Sequence, residues 1–179
     1  PIILAGLLLA GEATARQAVQ AARSGRAAEA EVLFRRAGSL DPFQASYRAD
    51  LARLAAARRD FPEAETCLNR AIALSPYDWR LREVASGVYW DMGSPERAVG
   101  ALEDASRLFP WGAGVYDSLG RIYLAAGTTY LQRGNRAAAR EVFGKAFGLP
   151  AGIEGRLAGL GVRERELWQG EGRLLAVSP

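Results

Sequence analysis

The 179-residue chain is 49% hydrophobic and 24% charged, a globular balance that excludes wholesale disorder. Its formal charge of +3 comes from arginines dispersed among acids, which argues for a solvated surface and against a nucleic-acid partner. The absence of histidine excludes histidine metal ligands and histidine-based triads, and the single Cys67 excludes an internal disulfide. Alanine, leucine, arginine and glutamate dominate, so the expected class is all-α.

Residues 1–10, Pro1 to Ala10, are apolar almost throughout but too few to span a bilayer, which takes about 20. Three readings stay open: the end of a longer membrane helix, a signal-peptide core, or a helix packing on the first helical repeat. The opening proline predicts a piece of a longer protein.

From Gly11 onward the chain is ruled at a fixed interval. Pro42, Pro76 and Pro110 stand 34 residues apart, each followed by an aromatic, Phe43, Tyr77 and Trp111. Before each proline, alanines recur at the same offsets: Ala30 and Ala37, Ala64 and Ala71, Ala98 and Ala105. A bulky residue lies between each pair: Phe34, Leu68 or Leu102. Small side chains let two antiparallel helices approach closely, and the larger residue fills the groove between pairs. The proline ends the second helix, and the aromatic is expected to fold back as a staple on the next.

The repeats divide as 11–44, 45–78, 79–112 and 113–150. In the first, a helix ends near Arg23, turns at Ser24-Gly25-Arg26 and returns over 27–39. The second runs over 45–58 and returns over 62–74, with Pro62 at the first helical position. The third runs over 78–91 and returns over 95–108, with Ser94 as cap. The fourth carries Tyr-x3-Gly twice, at Tyr123–Gly127 and Tyr130–Gly134, which reads as a seven-residue insertion near 124–130. Seven residues are almost two helical turns, so one long helix is favoured over a break at Gly127-Thr128-Thr129. Pro150 is expected to close this repeat. Residues 151–179 are expected to form a capping helix and tail, with Ile153, Leu157, Leu160, Leu167 and Trp168 on one face.

Residues 111–150 contain Tyr116-x2-Leu119-Gly120-x2-Tyr123, Gly127, Ala139, Phe143, Ala146 and Pro150. That order, with the 34-residue period, resembles the tetratricopeptide repeat (TPR) family. The resemblance covers about Gly11 to Pro150. It implies a right-handed superhelical solenoid of antiparallel helix pairs, about four repeats plus a cap. The first helix of each pair would line a concave groove for a peptide or partner helix. It implies no catalysis and no cofactor.

The carboxylate clamp of chaperone adaptors does not carry over. Its lysine and asparagine positions in the first repeat fall on Ala15 and Val19. The second-repeat asparagine position falls on Asp50, and the third-repeat basic pair on Arg80 and Val84, so only Arg80 fits. Projected toward the groove in this register are Arg16, Arg53, Arg80, Glu83, Trp90, Asp117 and Arg121. Exposed Trp and Arg commonly anchor partners. Each also has a structural reading: Trp90 as core beside Tyr89, the arginines as ion-paired surface, Asp117 and Arg121 as a mutual i, i+4 pair.

Paired carboxylates (Glu29 with Glu31, Glu63 with Glu65, Glu103 with Asp104) read as solvent faces of helices, and no phosphate loop is present, so no enzyme site or metal site is expected. A homo-oligomer through Ile2–Leu9 and the long fourth-repeat helix is the alternative partner. Asp41 to Arg48, after an apolar lead-in, also resembles the C-terminal repeat region of bacterial O-antigen ligase or polymerase-type membrane proteins. That likeness implies membrane attachment through upstream segments and a role in cell-surface polysaccharide assembly. Arg16, Arg23 and Arg26 would favour a cytoplasmic side by the positive-inside rule, whereas the resemblance implies an outward-facing repeat region. The compartment stays open.

Overall fold

A computed structural model describes residues 2–158. Among these, every regular element is an α-helix: α1 (Ile2–Arg23), α2 (Ala27–Leu40), α3 (Ala45–Ala57), α4 (Phe61–Leu74), α5 (Trp79–Asp91), α6 (Pro95–Leu108), α7 (Ala113–Gln132) and α8 (Arg136–Ala158). The chain forms two compact units, one up to Gly93 and one from Ser94.

In the first unit α1 packs on α2, and α3 packs on α2, α4 and α5. The alanine ladder makes this possible: Ala30, Ala37, Ala64 and Ala71 are fully buried, with Phe34 and Leu68 between them. Arg35 on α2 and Arg58 at the end of α3 both pair with Glu31 and Glu63. This network ties α2, α3 and α4 together at the surface and accounts for two of the carboxylates that sequence placed on solvent faces.

In the second unit α7 packs against both α6 and α8. Ala98, Leu102, Ala105 and Ala139 continue the buried ladder. Glu103 on α6 accepts hydrogen bonds from the Tyr123 hydroxyl on α7 (3.0 Å) and Lys145 Nζ on α8 (2.9 Å). Burial and this bond hold the Tyr123 phenol well above the usual tyrosine range. Tyr130, one seven-residue step further along α7, bonds Glu96, seven residues back on α6. The doubled tyrosine thus meets a doubled glutamate on the antiparallel neighbour.

Gly25, Arg59 and Gly93 stand 34 residues apart, and all turn between helices with positive φ (75°, 62° and 73°). The next rung is Gly127, yet α7 runs straight through it, and the positive-φ turn falls at Gly134 (φ 74°). The long-helix reading therefore holds. Gly127 has been put to a different use: a Cβ there would lie 2.5 Å from the Phe143 ring, so its bare backbone is what lets α8 close on α7.

Several expectations are corrected. Phe43 and Tyr77 are not staples; they are 78% and 84% exposed, and Trp111 is also exposed. The turn is held instead by polar groups, since Asp41 Oδ1 accepts from the Phe43 amide and Asp78 Oδ1 from the Arg80 amide. Pro150 does not end its helix: α8 continues to Ala158. Pro150 is exposed, where water can take up the carbonyl its missing N–H leaves free. Phe61, not Pro62, opens α4, because Asp60 caps by accepting from the Glu63 amide. Ser94 makes no side-chain cap bond. Residues 4–10 do not pack on the first repeat, being exposed on every side. Of the expected capping face, Ile153 is half-buried on α8; Leu160, Leu167 and Trp168 lie outside the described residues.

Candidate functional site: a trough across the first helices

Helical period and 34-residue repeat together decide which side chains share a face. Most residues of the first unit that line its open side fall on such a lattice. Glu12, Ser46 and Arg80 occupy one rung; Ala15, Ala49 and Glu83 the next; Arg16, Asp50 and Val84 a third; Val19 and Arg53 a fourth. All lie on α1, α3 or α5, the first helix of each pair.

Two hollows result. One, of about 290 Å³, lies between α1 and α3, with Glu12, Ala15, Arg16 and Val19 facing Ser46, Tyr47 and Asp50, and Phe34 at its base. The other, of about 380 Å³, lies between α3 and α5, with Ala49 and Arg53 facing Trp79, Arg80, Leu81, Glu83 and Val84. Ser46 and Asp50 line both, so the hollows join into one trough.

Asp50 is the sheltered charge of the trough, and Glu12 and the arginines are exposed. Asp50 has a side chain only 28% exposed and pairs with Arg53 Nη1 at 3.0 Å. Burial pushes its carboxyl above the ordinary aspartate value, and Arg53 only partly offsets this. Tyr47 is raised by burial first, then by the nearby charges of Asp41 and Glu12. Arg16 pairs with Glu12 at 2.5 Å and is largely exposed. Arg80 lies over the Trp79 ring, 4.9 Å from its centroid, and 3.9 Å from Asp78.

Of the residues projected from sequence, the structure gathers Arg16, Arg53, Arg80 and Glu83 along this trough. Trp90 is half-buried near the end of α5 and lies outside both hollows; its counterpart one repeat earlier, Ala56, is core. Asp117 and Arg121 sit on α7 in the second unit and pair with each other at 2.7 Å. Glu12, Ser46, Tyr47 and Trp79 were missed. Glu12 and Ser46 were legible by stepping 68 and 34 residues back from Arg80, but the projection kept mainly charged residues. Tyr47 shares a rung with Leu81, 34 residues on, whereas Trp79 lies between rungs.

Among the described residues no group of three metal-ligating side chains comes together, and no helix is long and apolar enough to cross a membrane. Antiparallel helix pairs on a 34-residue lattice, with first helices lining a trough, define the tetratricopeptide-repeat architecture. The tetratricopeptide-repeat family model matches residues 116–151. None of the curated proteins compared matches the chain in sequence. Solved structures do match in fold. PilF of Pseudomonas aeruginosa aligns over 94% of this chain and 71% of its own, with 22% identity and a TM-score of 0.60. MamA aligns over 79% and 78%, with 23% identity and a TM-score of 0.61. The first TPR of Spaghetti (RPAP3), bound to the HSP90 peptide SRMEEVD, aligns over 64% and 94%, with 18% identity and a TM-score of 0.57.

Proposed function

We propose that this chain is a non-catalytic scaffold that binds a peptide or helix of a protein partner in the trough across α1, α3 and α5. The carrying observation is the junction of two hollows at Ser46 and Asp50, which makes one elongated site from three repeats. A structure of the same fold holds a peptide, which supports the reading. The partner differs in chemistry from an acidic C-terminal tail. Ala15, Val19, Asp50 and Val84 occupy the clamp positions, and an acid stands where a carboxylate would have to sit.

The test is to select peptides from a random library on the intact chain and titrate the tightest by calorimetry. Arg53→Glu and Asp50→Arg should each weaken binding tenfold or more, while Arg70→Glu on α4 should leave it unchanged. Equal binding by all three variants would reject the site. Trp90→Ala reports whether the trough extends to the end of α5.

Self-association is the second reading, favoured by Leu124 and Leu131, which stand about half exposed on α7. Light scattering at rising concentration separates it: a monomer throughout rejects it. The likeness to O-antigen ligase-type proteins would make the scaffold the repeat region of a polysaccharide-assembly protein; its supporting residues, Asp41 to Arg48, here form an inter-repeat turn and the start of α3.

A further inference from the structure

α1 leaves the repeat array at one identifiable residue. Gly11 is buried against the end of α2, where an added Cβ would lie 3.3 Å from Asp41 Cβ and 3.5 Å from Leu40 Cβ. On its N-terminal side the helix continues without a break to Ile2, and residues 4–10 are all exposed. Leu4, Leu7, Leu8 and Leu9 are between 38% and 67% exposed. No polar or charged side chain occurs from Ile2 to Gly11; the first is Glu12, which pairs with Arg16 on the next turn.

A helix apolar on all sides is ordinarily buried on all sides. Successive residues advance by about 100°. Leu4, Leu7 and Leu8 therefore share a stripe, while Leu9 and Ala5 point well away from it. A second copy of the helix would cover the stripe and leave Leu9, the most exposed of the four, in water. Three partly exposed leucines also fall far short of the roughly 800 Å² that each partner buries in a stable interface. A fluid apolar phase has neither difficulty, because it surrounds the helix.

We propose that the segment of α1 before Gly11 enters the apolar interior of a lipid bilayer, with Glu12 and Arg16 at the level of the headgroups, and so holds the repeats against a membrane surface. The site is independent of the trough.

Flotation of the intact chain with vesicles of pure phosphatidylcholine tests this, the neutral lipid removing simple attraction to the net positive charge. The chain should float with the vesicles, and Leu4→Asp with Leu8→Asp should lower the bound fraction at least tenfold. Those leucines lie outside the repeat packing, so the thermal midpoint of the variant should be unchanged. Failure to float, or flotation that survives the double substitution, overturns the proposal. So does a lipid-free dimer that the same substitutions dissociate, which would give the segment to a second copy.

Discussion

Gly127 and Asp50 show how single positions in this chain trade one constraint for another. At Gly127 a side chain has no room, because the Phe143 ring occupies the place of its Cβ. Gly127→Ala should cost about 1–3 kcal/mol, the range for overpacking a fitted contact. Gly87→Ala, at an exposed helical site with nothing within 4 Å, should instead gain about 0.5–1 kcal/mol. Urea denaturation of the two variants measures both signs at once. Asp50 carries its charge into a partly dry place, and burial raises its carboxyl above the unfolded value. The unfolded chain therefore releases this proton first as pH rises, and the native state is progressively disfavoured through the window between the two values. Asp50→Asn should raise the thermal midpoint at pH 7, with the advantage shrinking as pH falls toward 4 and below. An aspartate kept at a stability cost in the centre of the trough is what a binding role would require. An unchanged or lower midpoint for the variant at pH 7 would contradict that role for burial.

At the scale of elements, α7 is where the chain departs from its own rule. The rungs Gly25, Arg59 and Gly93 turn the chain, whereas Gly127 is spanned and the turn moves seven residues on to Gly134. Because seven residues are nearly two full turns, the buried face keeps its direction, and Tyr130 repeats against Glu96 what Tyr123 does against Glu103. Deleting Thr128–Gly134 should hand the turn back to Gly127 and leave a shorter α7. The variant should still unfold cooperatively, with its helical signal reduced by about two turns; loss of cooperative unfolding would show that the extra turns hold the second unit together. This element was legible in the sequence because the duplication kept its glycine and tyrosine. The post-proline aromatics were misread for the opposite reason. Phe43 and Tyr77 recur at the right interval, but periodicity says only that neighbours occupy equivalent positions, not that those positions are buried. The passage of α8 through Pro150 was equally hidden, since a proline on an exposed face disrupts less than its position in a motif suggests.

Across the whole molecule, the all-helical fold could be read from spacing because alanines at fixed offsets leave one close way for antiparallel helices to meet. Each rung alanine from Ala30 to Ala105 is fully buried, as that reasoning requires. The trough was legible in position and only partly in chemistry: Arg16, Arg53, Arg80 and Glu83 follow from the register, while the half-buried Asp50 at the junction owes its character to tertiary packing. A partner lying along α1, α3 and α5 would shield those three helices together. Hydrogen exchange of the chain with and without a saturating library-selected peptide measures this directly. Exchange should slow in the segments holding Ala15 to Val19, Ala49 to Arg53 and Leu81 to Val84, with the α2 and α4 amides unaffected. Protection confined to α2, α4 or the second unit, with these three segments unchanged, would contradict binding in the trough.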